Sequence, residues 1–417
     1  MKKTRISLAV AAATMISAPA FATNGDELIG LGAQSRALGG TGVAAFYGAE
    51  NQLVNPAMLG KAEGSEFVIG GTLFMPDVEA ELTMETPMGP QGVSASSEAD
   101  QSVIPEVAMA TRINNNWTFG LGMYGTAGMG VDYKKEDNLF NASSALQLMK
   151  FVPTFAFNQD NFGFGFSPVI QYGSLDLNYT NPMNGDNVGS GVSDDLGMGF
   201  DIGTYFDVNK DLTVALAYQS AIEMEYDGQM TTAADGFGIG PNGMDMISSD
   251  KLEQPAQLKL GVAYTMNNWL FTADAKQIKW GSASGYKDFG WDDQNVFGLG
   301  AKFSGNGFWA GFGYNYGEDP IEVLPNVAGD PMGTYANQAI NMFNNHFFPA
   351  IVESHYTVGA GYELNKTMTI EGAIVYAPEV DKTIDTSAIT GMLVGMDSTH
   401  EVTHSQTGVT VSLRMNF

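Results

Sequence analysis

Apolar and polar side chains alternate along much of this chain, and the alternation is clearest at its carboxyl end. The last ten residues read G-V-T-V-S-L-R-M-N-F, so every second side chain from Val409 to Phe417 is apolar. A period of two is typical of a β-strand with one apolar and one polar face. A tilted strand of about 9 to 11 residues crosses a bilayer with one face towards lipid and the other towards a polar lumen. The segment therefore predicts the last strand of an outer-membrane β-barrel.

The same alternation recurs in about fourteen segments along the chain. They begin near Glu66, Val103, Trp117, Lys150, Phe162, Leu196, Leu212, Gln257, Trp269, Val296, Phe308, Ser354, Met368 and Ser405. Tight turns such as Asn114–Asn116 alternate with long loops, predicted at 76–102, 134–149, 180–195, 227–256, 281–295, 318–353 and 378–404. Short periplasmic turns and long outer loops are typical of such barrels. The pattern predicts an all-β fold, a 14-stranded antiparallel transmembrane β-barrel, with a soluble β-sandwich as the alternative.

Parity, meaning whether a residue holds an odd or an even position in its strand, also predicts which side chains face the lumen. From Leu258 to Tyr264 the large apolar side chains share one face, whereas Lys259 lies on the other. The lysine is therefore expected to point inward. Trp117, Trp269 and Trp309 each lie within a few residues of a tight turn. We expect these tryptophans to form an aromatic girdle at the periplasmic interface.

Residues 1–22 have the composition of a secretory signal peptide. Lys2, Lys3 and Arg5 precede an apolar run that ends in small residues, so the mature protein is predicted to begin at Thr23. Loss of these three cations lowers the formal charge from −27 to −30. This acidity argues against nucleic acid as a partner. With no cysteine, the chain has no disulfide and no thiolate metal site, and after residue 22 no apolar run is long enough for a membrane helix.

Residues 23–61 do not follow the strand pattern. They are rich in glycine and alanine and contain short apolar clusters such as Leu28-Ile29 and Phe46-Tyr47. A segment of this kind before the first strand either hangs free in the periplasm or folds into the lumen. Its apolar content favours an N-terminal hatch, or plug, over 23–61, followed by the barrel over 62–417.

A family resemblance supports this organisation. The run G-L-G-A-Q-S-R-A-L-G-G-T-G-V-A, from Gly30, and N-P-A-M-L, from Asn55, resemble the hatch segment of the FadL family of outer-membrane transporters. Gln254-Pro255-Ala256, followed after one strand by I-K-W-G-S, is similar to a paired-strand pattern of the same family. The resemblance implies a monomeric barrel, surrounded by outer-membrane lipid and lipopolysaccharide, that takes up long-chain fatty acids or other hydrophobic compounds.

The resemblance also implies a mechanism. The outer loops capture the ligand, a hatch movement opens the path, and the ligand leaves sideways beside a kinked third strand. In this chain the third segment contains Gly125, Gly128 and Gly130, which interrupt strand pairing at little cost; ordinary small residues of a tilted strand are the alternative. Asn55-Pro56-Ala57 is interpreted as a hatch anchor or a simple turn, and Arg36 as a contact between hatch and wall.

A fatty acid carries a carboxylate, which needs a cation in a pocket of low dielectric constant. The candidates on inward faces are Arg112, Lys259, Lys276 and Lys302, together with Arg414. The alternative is that these cations pair with the inward acids Glu106, Asp274 and Glu371. Of the 19 Lys and Arg residues, three precede Thr23, and the remaining sixteen leave room for a neutral ligand such as an aromatic hydrocarbon.

Catalytic chemistry is not predicted, and neither a cofactor nor a metal is expected. His400 to His404 matches H-E-x-x-H, which binds zinc only on a helix, and here it precedes the last strand in a threonine-rich loop. His346 and His355 are expected to lie far away.

Two of the loops contain helix-compatible runs, Ala142–Met149 and Tyr335–Phe348. The second has an apolar face, which could line the entry path of the ligand, cap the barrel mouth or insert into outer-leaflet lipid. A general porin, an outer-membrane hydrolase and an adhesin are the other function classes considered.

Overall fold

The computed structural model describes residues 23–181 and 184–417, so the predicted signal peptide lies outside the described residues. Its main feature is a barrel of fourteen antiparallel strands. In chain order β1 to β14 are Ser65–Thr86, Ser102–Arg112, Trp117–Met129, Ser143–Gln159, Phe162–Thr180, Ser193–Asp207, Leu212–Gln219, Gln257–Met266, Trp269–Ile278, Gln294–Gly305, Phe308–Gly317, Ser354–Asn365, Met368–Asp385 and Ser398–Asn416.

Each strand pairs with the next, and β14 pairs with β1 from Ser398↔Met84 to Asn416↔Glu66, which closes the barrel. The prediction of a 14-stranded antiparallel barrel is confirmed. Its outer surface is apolar because alternate side chains point outward: Leu260 is 54% exposed, whereas its neighbour Lys259 is 8% exposed and faces inward. This arrangement places apolar residues against lipid and polar residues in the lumen.

Several strands are longer than predicted. β4 begins at Ser143 rather than near Lys150, and β14 begins at Ser398 rather than near Ser405. β1 continues through Pro76 to Thr86 and is followed by a hairpin strand, Gly89–Ser96. The predicted helix over Ala142–Met149 is therefore wrong, because this stretch is strand. A bilayer requires only about 9 to 11 residues per strand, and the additional residues extend the wall.

The tight turns contain asparagine and aspartate residues that adopt positive φ. Asp160, Asn267 and Asn306 have φ of 48°, 55° and 54°, a region that these residues tolerate better than most. Trp117 and Trp269 are exposed on the outer surface near such turns. Trp309 does not join them, because its side chain is buried and Nε1 donates to Glu371 Oε1 at 2.9 Å.

The long connections contain most of the helical residues. The α-helices are α1, Gly32–Ala37; α2, Met230–Gly236; α3, Pro331–Phe347; and α4, Ser387–Leu393. Short 3₁₀ helices occupy Ala49–Leu53, Pro56–Lys61, Asp137–Leu139, Trp280–Ser282 and Tyr286–Phe289, and two-residue strands occupy Thr23–Asn24, Glu27–Leu28 and Asn187–Val188. In the part of the chain that the structure describes, no helix has the length and hydrophobicity needed to cross a membrane.

Helix α3 begins as its sequence predicts. Asp330 accepts hydrogen bonds from the backbone N–H groups of Met332 and Gly333, and Pro331 occupies the first turn. The predicted helix over Tyr335–Phe348 therefore has a counterpart in the structure. Its apolar side chains Ile340, Phe343 and Phe347 are buried among the other outer connections. The helix belongs to an apolar assembly above the barrel wall and does not present this face to lipid.

Candidate functional site

The N-terminal segment, residues 23–61, lies against the inward faces of the strands. No residue from Asn24 to Ala62 is exposed. Leu38 and Gly39 pack on β10 and β11, where glycines make room: a Cβ on Gly313 would lie 2.2 Å from Gly39 N. The segment therefore occupies the lumen, and residues that lack side chains on the inner wall accommodate it.

An ion-pair network attaches this segment to the seam of the barrel. Arg414 of β14 lies 3.1 Å from Glu50 of the segment, 2.5 Å from Glu66 of β1 and 2.8 Å from Glu371 of β13. Arg414 and Glu371 thus pair with each other and with the segment. Asp274 and Glu106 accept hydrogen bonds from the segment's backbone, at Gly42, Val43 and Gly32.

Asn55-Pro56-Ala57 makes a local cap and a wall contact. Asn55 Oδ1 accepts from Ala57 N at 3.0 Å, and Nδ2 donates to Val43 O at 2.7 Å and to Thr204 O of β6 at 3.4 Å. Pro56 begins the 3₁₀ helix Pro56–Lys61. The motif is therefore more than a simple turn, and its function as a hatch anchor stays a prediction.

Arg36 lies on α1 and is buried. Its Nη1 donates to Gly30 O at 3.3 Å, whereas Nε and Nη2 have no hydrogen-bond partner among the described residues. Nη2 lies next to Gly408 of β14, where a larger residue would be within 3.0 Å. Arg36 thus approaches the wall without an ion pair to it.

The wall is interrupted beside β3. The β2–β3 ladder runs from Arg112↔Thr118 to Glu106↔Tyr124 and stops before Gly125. The β3–β4 ladder shifts register between Gly125 and Ala127, which leaves Thr126 as the extra residue of a bulge. Gly128 still pairs with β4, and Gly130 follows the strand's end. Of the three glycines, Gly125 therefore marks the interruption.

The N-terminal segment covers this interruption. Ala127 pairs with Glu27, and Gly128 N donates to Asp26 O at 3.0 Å. Leu28 forms a small apolar cluster with Phe74 of β1 and Ile104 of β2. The gap in the wall is thus closed by a short strand and apolar side chains that belong to the segment.

Asp26 links the start of the segment to the outer connections. Its Oδ2 accepts from Tyr286 Oη at 2.5 Å and from Gln254 Nε2 at 2.9 Å. Burial raises the pKa of the Asp26 carboxyl from 3.8 to about 7. The contact with the outer connections is therefore sensitive to the protonation of one carboxyl group.

A cavity of about 80 Å³ lies between the segment and the wall. Lys150 of β4, Lys259 of β8 and Lys276 of β9 line it, together with Glu27 and Asp274. Two of these lysines were predicted from parity, whereas Lys150 was missed because the start of its strand was placed at that residue. The ion pairs formed by the described residues include none of the three lysines.

The other two predicted ligand cations lie elsewhere. Lys302 Nζ donates to Gln34 Oε1 at 2.7 Å and lies 5.2 Å from the centre of the Tyr47 ring. Arg112 donates to the carbonyl oxygens of Gly60 and Ala62 at 2.7 and 2.9 Å. Both side chains support the N-terminal segment, and neither lines the cavity.

A second cavity, of about 390 Å³, lies among the outer connections. Its lining combines aromatic and aliphatic side chains from four connections, including Phe140, Phe237, Tyr335 and Met342, with Tyr179 of β5 and residues of β1. No lysine or arginine is present in this lining, and Asp137 is the charged residue there. We call it the outer pocket; its surface suits a hydrophobic molecule or the apolar part of one.

The H-E-x-x-H match forms no metal site. Residues 400–404 belong to β14 rather than to a loop, and positions four apart on a strand lie roughly 13 Å apart along it. The described residues contain no group of three side chains suited to hold a metal ion. The expectation that His346 lies far from this motif is wrong, because α3 places its Nδ1 3.0 Å from His400 Nε2.

A closed barrel of fourteen strands with an apolar exterior, and with an N-terminal segment packed against its inward faces, defines an outer-membrane β-barrel protein. The chain belongs to the outer membrane protein transport protein family (OMPP1/FadL/TodX), whose sequence profile matches residues 9–417. The family is one of outer-membrane transport proteins.

Sequence identity is low to the relative and the two solved structures named next. The chain is 24% identical over 271 residues to the long-chain fatty acid transport protein of Escherichia coli O6:H1, and the match covers 57% of this chain and 58% of that protein. Among solved structures, a Pseudomonas aeruginosa FadL homologue has a TM-score of 0.69 at 15% identity, and the match covers 94% of this chain and 100% of the homologue. The P. putida toluene transporter TodX has a TM-score of 0.65 at 20% identity, and the match covers 93% of this chain and 99% of TodX. At these identities the structures support the fold alone.

Proposed function

We propose that this protein imports long-chain fatty acids by passive diffusion. The ligand enters the outer pocket, passes to the cavity between the N-terminal segment and the wall, and leaves sideways through the interruption between β2 and β3. The N-terminal segment acts as the hatch. The observation that carries the choice of an anionic ligand is the group of three lysines around that cavity.

Burial makes these lysines suited to a carboxylate. Lys150 and Lys259 are 2% and 8% exposed, and no carboxylate oxygen of a described residue lies within 4.0 Å of their ammonium groups or of that of Lys276. Charged groups in such surroundings are stabilised when an opposite charge reaches them. Leu28, Ile29 and Val296 line the same cavity and provide contacts for the first methylene groups of a chain.

Competition between ligands tests the charge preference. We expect saturable binding of a radiolabelled long-chain fatty acid to the purified, detergent-folded protein, with weak displacement by the methyl ester of the same acid. Lys150→Gln, Lys259→Gln and Lys276→Gln should each weaken fatty acid binding by about tenfold or more, because each removes a charge-assisted hydrogen bond. Lys302→Gln is the matched control, since Lys302 faces inward but does not line the cavity.

The control should bind as the parent does. Equal affinity for acid and ester, together with no effect of the three substitutions, would exclude the carboxylate site. The absence of saturable binding by either compound would reject the proposed substrate class.

A neutral aromatic hydrocarbon is the second candidate. The observation that favours it is the outer pocket, whose aromatic lining lacks a lysine or arginine. Toluene should then compete with the fatty acid at this pocket, and Phe237→Ala should weaken the binding of toluene more than the binding of the fatty acid. Displacement by toluene in all three lysine variants would favour this second candidate.

A further inference from the structure

Three histidines attach α3 and the residues after it to the rest of the protein. His346 is near the end of α3, whereas His400 and His404 belong to β14. The side chains of His346 and His400 are 0% exposed, and that of His404 is 7% exposed. The chain has only four histidines, so most of them converge on one junction.

The hydrogen-bond partners fix the protons of the first pair. His346 Nε2 lies 3.1 Å from Leu139 O, and since a carbonyl only accepts, Nε2 carries the proton. The Nδ1 atom of a neutral His346 is then an acceptor, so His400 Nε2, 3.0 Å away, must donate to it. His400 Nδ1 in turn accepts from Asn345 Nδ2 at 3.2 Å. Both rings are therefore neutral in this arrangement.

The hydrogen-bond partners of His404 fix its proton in the same way. Its Nδ1 donates to Pro349 O at 2.7 Å, and its Nε2 accepts from Gln406 Nε2 at 3.1 Å. A proton added to any of the three rings would place two donors against each other. Protonation is thus incompatible with the observed contacts between the α3 region, β14 and the connection that contains Leu139.

The surroundings offer an imidazolium little compensation. The ring of Tyr133 stacks on His346 with the centroids 5.3 Å apart, and Phe140 contacts His346 edge-on. On β13, the carbonyl of Lys382 accepts from Asn345, while its ammonium is bound to Asp319 at 2.7 Å. Four carboxylates on the packed elements, Glu136 and Asp137 beside Leu139 and Glu81 and Glu401 on β1 and β14, make no hydrogen bond to these rings. The fourth histidine, His355 of β12, interacts with His404 and with Gln406.

We propose that this histidine network is an acid-sensitive latch, which holds α3 over the barrel at neutral pH and releases it when the rings are protonated. Helix α3 supplies Tyr335 and Met342 to the outer pocket, so its release widens that pocket. The inference rests on the proposed function only in that the outer pocket receives the ligand.

The direction of the pH effect follows from burial. Burial lowers the pKa of His346 from 6.5 to about 4. Above pH 6.5 the ring is neutral whether α3 is attached or released. Between about pH 6.5 and 4 the released ring binds a proton and the attached ring does not, so the released form gains about tenfold per pH unit, up to roughly 300-fold.

Distance measurements on the whole protein test the latch without any ligand. Because the chain has no cysteine, Met332→Cys on α3 and Thr399→Cys on β14 provide two unique, exposed positions for spin labels. We expect one narrow distance distribution at pH 7.5 and a broader, longer one at pH 4.5. An unchanged distribution at pH 4.5 would overturn the proposal.

Substitutions separate the latch from general acid effects. In the triple variant His346→Gln, His400→Gln, His404→Gln the distribution should no longer depend on pH, whether α3 is attached or released in it. The matched control is Thr118→Val, an isosteric change at a buried residue of β3 outside the network, which should keep the parent's response. An equal response of the triple variant and the control would also overturn the latch. Since no ligand is added, the result is independent of the fatty acid measurements.

Discussion

At the scale of single residues, Arg414 forms more ion pairs than any other side chain that the structure describes. Its guanidinium donates to Glu50, Glu66 and Glu371 and is itself buried. One cation thus serves three carboxylates that belong to the N-terminal segment, the first strand and a strand beside the last. Removing a partner from a buried ion pair leaves uncompensated charge, which costs far more than the pair itself contributes.

We therefore expect Arg414→Met to lower the free energy of unfolding by about 3 to 5 kcal/mol. The measurement is urea unfolding of the protein inserted in lipid vesicles. Lys366→Met, at an exposed position without an ion pair, is the matched control and should change it by less than about 0.5 kcal/mol. A loss below 1 kcal/mol for Arg414→Met would mean that the three carboxylates find other partners.

Asp26 predicts a pH dependence of the N-terminal segment. Because burial raises its pKa to about 7, the attached N-terminal segment holds Asp26 in its protonated form. The stability of this attachment therefore decreases progressively as pH rises from about 4 to 7. The cost above pH 7 is up to about 4 kcal/mol. Hydrogen exchange of residues 24–31, corrected for intrinsic rates, should be faster at pH 8 than at pH 5. Asp26→Asn should remove the difference; an equal difference in this variant would assign it to another group.

Single residues also show where sequence reasoning ends. Parity correctly put Lys259 inside, but it assigned Trp309 to the outer girdle because proximity to a turn was weighed above its position in the strand. The structure turns Trp309 inward to Glu371. Lys150 lies on β4, and Lys259 and Lys276 lie on β8 and β9, four and five strands away. That the three share one cavity depends on how these strands are staggered around the barrel, which no local pattern contains.

At the scale of elements, the third strand determines where the wall can open. Its ladder with β2 ends at Tyr124, and the short strand Glu27–Leu28 takes the vacant place at Ala127. The sequence indicated a glycine-rich interruption here, but it did not indicate that residues of the N-terminal segment would pair across it. Such pairing joins residues 100 positions apart, and two-residue strands have no periodicity to detect.

A disulfide across this contact should hold the exit closed. Glu27 and Ala127 are directly paired, so Glu27→Cys with Ala127→Cys has a Cα separation suited to a disulfide. We expect the oxidised variant to lose most fatty acid uptake into cells, and reduction to restore it.

Each single-cysteine variant is a control and should transport equally under both conditions. Toluene binding to the outer pocket should survive oxidation. Undiminished uptake by the crosslinked protein would place the exit elsewhere.

At the scale of the whole molecule, the fold was the most predictable property. Fourteen strands, their order and the alternation of turns and loops all follow from a period-two pattern, because lipid imposes it on every strand. The strand ends were less predictable, since β1, β4 and β14 continue beyond the predicted boundaries and pack on the outer connections. There the constraint is packing against neighbours rather than lipid, and the helix predicted over Ala142–Met149 failed for that reason.

The position of Arg414 bears on how the molecule is assembled. The residue lies in the final strand, and two of its three partners, Glu50 and Glu66, precede or open the first strand. During biogenesis these groups meet only when the two ends of the sheet join. A barrel that closes while this segment is still outside brings Arg414 to Glu66 and Glu371 but not to Glu50. The complete ion-pair network therefore requires both a closed seam and an inserted N-terminal segment.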